Sequence, residues 1–200
     1  ALGGAVAASQ RSRIVMESCT SVDNVAFRGG SVAAWGSSEV ELANGISRAN
    51  RLTQVPSAEG PELFTGFGNG SSGNSRIAFV GGFLEGGTES RVICPSCTID
   101  LTGVAAIDPG LVDETEPAGT DGALGTADDG IRLEANGAAI DAAALADQLD
   151  LDRDSDVVEP VPDFTDVDGD RDRAEAVPWD VLGATRNVGM GPDVGAYERP

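Results

Sequence analysis

The chain of 200 residues has no histidine and no lysine, since all 13 basic residues are arginine. That removes every imidazole from consideration, whether as general base, proton shuttle or metal ligand. Three cysteines are too few for a four-thiolate zinc site. Aromatic residues make up only 4%, so the core must be built from Val, Ile, Leu and Ala, and few rings remain for stacking on sugars. No apolar run approaches the roughly 20 residues that a membrane-spanning helix needs. The opening ALGGAVAAS carries neither an initiator Met nor a charged leader, so any signal peptide is expected to precede it.

What is present is glycine, 27 of it, and acid. Short aliphatic stretches broken by glycine favour many brief strands and tight turns over long helices. The acidity is local: residues 1–100 carry 9 acids against 7 arginines, and residues 101–200 carry 24 against 6. Such a field repels nucleic acid and anionic lipid and favours cations or basic surfaces as partners.

An internal repeat organises the first half. VAFRGG at 25–30 returns as IAFVGG at 77–82, and a shift of 26 aligns Ile14, Val40 and Val92 in one apolar column, Met16, Leu42 and Cys94 in a second, Val6, Val32 and Leu84 in a third, and Asn24 with Asn50 in a polar one. SCT at 18–20 recurs three periods later at 96–98. Apolar columns two residues apart have strand periodicity. A period in the mid twenties that holds two or three short strands fits one coil of a parallel β-helix, whose open faces close when the next coil stacks about 4.8 Å away. The expected class is therefore all-β, with coils over residues 1–147 and excursions near 53–76 and 113–130. Residues 53–76 lack the apolar columns, which predicts a distorted coil with a protruding loop, ligand-facing or merely irregular. Asp141 stands as a candidate N-cap for a short helix over 141–150.

The CPSC at 94–97 invites a redox or zinc reading, but Cys94 falls on an inward column and Cys97 repeats Cys19. Buried structural thiols are the expectation, with a local Cys94–Cys97 disulfide or redox chemistry as alternatives. Cys19 and Cys97, three coils apart, would be too distant to pair.

DGIRLEANGAAIDAA at 129–143, DVDGDRDR at 166–173 and the closing PDVGAYE at 192–198 resemble the C-terminal signature of bacterial right-handed parallel β-helix proteins of the choice-of-anchor Q type. The coils are also similar, more loosely, to those of polymorphic outer-membrane proteins. Gly137-Ala138, Ala143 and Arg171-Asp172 depart from that pattern. The resemblance implies a right-handed solenoid that is secreted or displayed at the cell surface; further β-helix coils are expected upstream, since the first coil otherwise leaves an open face, and an Asp-rich closing region is expected over 148–200.

Within that region Asp150, Asp152, Asp154, Asp156 and Glu159 are repeated, 16 residues on, as Asp166, Asp168, Asp170, Asp172 and Glu175. Alternate carboxylates on an extended chain repel one another, and wrapping around Ca²⁺ converts that repulsion into coordination by six to eight oxygens. Ser155 and Arg171 stand where an EF-hand has glycine, and Val161 and Val177 where it has its closing glutamate, so a looser calcium loop is the expectation. A solvated acidic loop of a salt-adapted protein is the competing reading. Asp121, Asp128 and Asp129 form a second candidate set.

No nucleophile–base set or phosphate loop is present. The expected function is non-enzymatic: a calcium-stabilised surface module with a structural, adhesive or ligand-binding role and an undefined cell-surface or polysaccharide ligand. The alternative is a polysaccharide lyase or glycosidase that uses acidic pairs with Arg76, Arg91 or Arg132, against which Trp35, Trp179 and Tyr197 are few rings for sugar stacking.

Overall fold

A computed structural model describes residues 2–53, 62–66, 74–143, 180–183, 185–186 and 189–199. Among them are twelve strands: β1 (Val6–Ala8), β2 (Arg13–Glu17), β3 (Thr20–Val22), β4 (Val25–Ala26), β5 (Val32–Trp35), β6 (Glu39–Arg48), β7 (Arg51–Leu52), β8 (Leu63–Gly66), β9 (Arg76–Leu84), β10 (Arg91–Val92), β11 (Thr98–Asp100) and β12 (Val104–Ala105). The only helical element among them is a single 3₁₀ turn, Gly87–Glu89. The protein is all-β, and its strand pairs are parallel: β1-β5-β8-β10 form one sheet, β2-β6-β9-β11 with β3 and β12 a second, and β4-β7 a third.

Over the first 53 residues each pass of the chain visits all three sheets with a step of 26, as the apolar columns predict, the first pass giving the second sheet two short strands, β2 and β3, where the next gives it β6 alone. Val6 pairs with Val32, Ile14 with Val40, Met16 with Leu42 and Val25 with Arg51. The corners between sheets share that step. Gly3 and Gly29, Gln10-Arg11 and Gly36-Ser37, Ser18 and Asn44, Asp23 and Ala49 all have positive φ. A left-handed residue costs roughly 1–2 kcal/mol unless it is glycine, so its return at one register in successive passes marks the bend as a property of the stack. One corner extends further: Ser18, Asn44, Gly81 and Gly103 lie in one line, with φ of 49°, 52°, 63° and 67°. Beside it, a Cβ on Gly82 would come 2.2 Å from the Gly45 carbonyl oxygen, which is why that approach admits no side chain.

After residue 53 the step changes. Val32 to Leu63 is 31 residues and Val40 to Ile77 is 37; within the expected excursion near 53–76, Leu63–Gly66 is a strand of the first sheet, and residues 54–61 and 67–73 lie outside the described residues. The next steps are 28 (Leu63 to Arg91) and 22 (Ile77 to Thr98 plus one, Ile99). Three expected columns are thereby corrected. Ile77, not Val92, follows Val40; Leu63, not Leu84, follows Val32; and Val92 pairs with Phe64. Cys94 consequently leaves the Met16–Leu42 column, which continues at Phe79. The expected free thiols are also corrected, because Cys94 and Cys97 form a disulfide with Cα atoms 5.1 Å apart, across a turn closed by Cys97 N–H donating to the Cys94 carbonyl at 2.9 Å.

Inside the sheets Val32, Ala34, Val40, Leu42, Leu63, Ile77, Phe79 and Ile99 form the main core. Each fully buried Val, Leu, Ile or Phe contributes about 1.5–3 kcal/mol. The opposite face of β2-β6-β9-β11 carries charge of alternating sign: Arg13 Nη2 bonds Glu41 at 2.6 Å, and Arg76 Nη1 bonds Glu39 at 2.9 Å and Glu41 at 3.0 Å. Cross-strand pairing of opposite charges suits this register.

Beyond Ala105 the described chain runs as turns, with one antiparallel bridge, Leu111 to Leu133. It packs outside the distal halves of β6 and β9, where Ile46, Phe83, Leu133, Ala139 and Val194 make a second core. No helix among the described residues is long and apolar enough to cross a membrane. Asp141 does not cap a helix: its φ is 52°, and its carboxylate accepts from Met190 N at 2.8 Å and Gly191 N at 3.1 Å. Residues 144–150 of the expected helix lie outside the described residues.

Candidate functional site

The duplicated acidic set, Asp150, Asp152, Asp154, Asp156, Glu159, Asp166, Asp168, Asp170, Asp172 and Glu175, lies outside the described residues, as does Trp179. The second set does come together: one carboxylate oxygen each from Asp121, Asp128 and Asp129 lies within 4.8 Å of the others. Asp121 accepts from Ala123 N at 2.8 Å, and the other two are more heavily engaged. Asp128 accepts from the Thr120 N–H at 2.8 Å, the Thr120 hydroxyl at 2.6 Å and the Thr126 hydroxyl at 2.9 Å, and these bonds hold its pKa down to about 2. Asp129, buried, accepts from Gly125 N at 2.7 Å, Thr126 N at 3.2 Å and the Tyr197 hydroxyl. Burial pushes its carboxyl up, but the Tyr197, Gly125 and Thr126 bonds outweigh that and leave it lowered. What these carboxylates do here is fix the turns of residues 119–130.

The signature residues share that role. Asp193, fully buried, accepts from Asp141 N and Arg199 N, both at 2.7 Å, and Glu198 accepts from Asp193 N at 2.9 Å. Gly195 N donates to the Asn44 carbonyl at 2.9 Å, and Ala196 N to Thr20 Oγ1 at 3.1 Å. D-G-x-R-L, A-I-D-A and D-V-G-A-Y-E are thus three parts of one closure, in which carboxylates accept backbone N–H groups that no strand satisfies.

The arginines proposed for an enzyme are occupied. Arg76 is held by Glu39 and Glu41, Arg91 donates to the Ile99 carbonyl at 3.3 Å, and Arg132 donates to the Ala127 carbonyl.

A cleft of about 520 Å³ opens beside the third sheet, lined by Asp23, Asn50, Arg51, Glu62, Glu85, Ser90 and Glu114, among others. Its distinguishing group is Glu62, only 1% exposed. Oε2 of Glu62 accepts from Ser47 Oγ at 2.5 Å and Asn50 Nδ2 at 2.8 Å. Asn50 is in turn tied to Asn24, whose Nδ2 donates to its Oδ1 at 2.9 Å, and Ser21 and Ser31 hydroxyls meet at 2.9 Å. The predicted Asn24–Asn50 column is therefore one rung of a buried polar stack that ends at Glu62. Burial outweighs the Ser47 and Asn50 bonds and raises the Glu62 carboxyl to about 7, with nearby Glu85 adding to the rise. A carboxyl poised near neutrality in a cleft is a recurrent sign of a working site.

Sequence reading missed Glu62 because a fixed step of 26 puts it on no column. Allowing steps of 31 and 28 sets Ser31, Glu62 and Ser90 in line, each just ahead of a paired strand residue. That line of polar residues was the available signal. Compared with known proteins, the chain matches no family model, no curated protein and no solved structure.

Proposed function

We propose that the chain is a stretch of right-handed parallel β-helix that serves as a secreted or cell-surface module with a structural, adhesive or ligand-binding role, stiffened by calcium at the duplicated acidic sequence of 150–175. The observation that carries the reading is the recurring order in which the chain feeds parallel sheets, three of them over the first 53 residues, with left-handed corners in one register. Such stacking yields an elongated scaffold with long lateral faces, suited to display and binding. The local Cys94–Cys97 disulfide fits an oxidising compartment.

Thermal unfolding in excess EDTA and then in millimolar Ca²⁺ tests the calcium half of this reading. The midpoint should rise with Ca²⁺, because a ligand that binds only the native state stabilises it, and Asp152→Asn with Asp168→Asn should abolish the rise. Recovery by any salt at equal ionic strength would make the stretch a solvated acidic loop instead.

One feature favours a second reading, a polysaccharide lyase or glycosidase: Glu62 is buried in the wall of the cleft, and burial raises its carboxyl to about 7, where a general acid works well. Incubation with uronic-acid polymers and with neutral glycans, followed by product analysis, decides it. Release of unsaturated or reducing ends that Glu62→Gln abolishes would establish catalysis.

A further inference from the structure

Two buried side-chain oxygens of the cleft have no hydrogen-bond partner, Glu62 Oε1 and Ser90 Oγ. Their residues are 1% and 2% exposed, and they are neighbours in register, since Leu63 N donates to the Ser90 carbonyl at 3.1 Å. Buried oxygens left in this condition cost free energy until a donor meets them. The donor's character follows from the charges around it. Asp23 is paired with Arg51, and Glu114 with Arg48 at 2.7 Å. Glu85 Oε2 accepts the Ala49 N–H at 2.6 Å, and among the described residues neither Glu85 nor Glu62 makes an ion pair. The cleft therefore holds two carboxyls without an ion-pair partner, of which Glu85 feels the Arg48 charge only at longer range.

A neutral hydroxyl would satisfy an oxygen and leave that charge. A guanidinium needs two free oxygens on one carboxylate for its fork, whereas Glu62 Oε2 is already taken by Ser47 and Asn50. Calcium asks for six to eight oxygens, and the carboxylates here are not gathered as those of Asp121, Asp128 and Asp129 are. An ammonium, a compact charge with three N–H donors, meets each condition.

We propose that this cleft binds a protonated primary amine, which donates to Glu62 Oε1 and Ser90 Oγ while Glu85 adds attraction. Lysine side chains, polyamines and amino sugars share that chemistry. The inference deepens the ligand-binding reading above, and it disfavours a uronate as the cleft's ligand.

The test is a titration of the Glu62 ¹³Cδ resonance in the full chain, alone and with saturating 1,4-diaminobutane, at ionic strength fixed with NaCl. With the diamine bound, the Glu62 pKa should fall by at least about one unit, as an adjacent opposite charge requires. By linkage the diamine should then bind at least about tenfold more tightly at pH 8.5 than at pH 5.5. Ser90→Ala, which keeps the ladder carbonyl, should weaken binding several-fold, and Glu62→Gln should remove its pH dependence. An unmoved Glu62 resonance overturns the proposal, as does an equal displacement by Ca²⁺ or by 1,4-butanediol. Should Glu62→Gln not fold, the wild-type titration and Ser90→Ala decide alone. Diamine binding that ignores Ser90→Ala and leaves Glu62 unmoved would spare the binding module and sink this site; the β-helix and calcium reading is judged separately by the EDTA experiment.

Discussion

The stacked strands of residues 2–105 and the closing layer of 106–143 with 189–199 are held together by different physics. In the first, aliphatic columns bury against one another and backbone pairs with backbone across parallel ladders. In the second, strands are nearly absent, and carboxylates accept the N–H groups that turns leave open. The two should respond to acid in opposite senses. Glu62, in the stack, is held above its ordinary pKa, and Asp113, Asp128 and Asp129, in the closing layer, are held below theirs. Asp193 is the exception in that layer, because burial pushes it up. A buried acid with an empty side favours its proton, and an acid wrapped in donors favours its charge.

The largest effect should come from Val40→Asp. Val40 is fully buried between Ile14 and Ile77, so an unpaired charge there should cost about 4 kcal/mol, read as a collapse of the urea midpoint. An unchanged midpoint would refute the register. Next is the pH response of the stack. Folding raises Glu62 from 4.5 to about 7, so its protonated form is the stabilising one. That contribution is complete below pH 4.5 and is lost as pH rises through 7, about 3 kcal/mol at 1.36 kcal/mol per unit. Urea midpoints at pH 4.5 and 8 should show the decline in the wild type and not in Glu62→Gln. Asp128 acts in reverse: its contribution is present above pH 3.8 and is lost as pH falls through 2, so the closing layer should open first in acid.

The smallest effect sharpens the contrast by location. Asp193→Ala strands the Asp141 and Arg199 N–H groups and should cost about 2 kcal/mol. Amide exchange should quicken within 129–143 and 189–199 while β6 and β9 keep their protection. Equal loss in β6 and β9 would show that the two regions open as one.

This division also explains what could be read from sequence. The step of 26 and the Asn24–Asn50 rung were legible because each depends on spacing alone. The Cys94–Cys97 bridge and the Val92 and Leu84 columns were misread because a surplus of residues in one pass shifts every later register. Glu62 was missed for the same reason. Asp121, Asp128 and Asp129 were legible as a cluster, but not the hydroxyl of Tyr197 that reaches Asp129 from 68 residues away.

The bond from Ala196 to Thr20 spans 176 residues. Closing a loop of that length in place of one of 26 residues costs at most about 2 kcal/mol more in chain entropy, a small equilibrium burden but a large constraint on order. Ile46 and Phe83 are covered by Leu133, Ala139 and Val194, all far along the chain from β6, so a chain emerging from its N-terminal side must carry an unfinished greasy flank until those residues have been made. Folding speed as well as stability should therefore depend on residues 192–198, and a deletion that removes them should promote aggregation as well as lower the melting point.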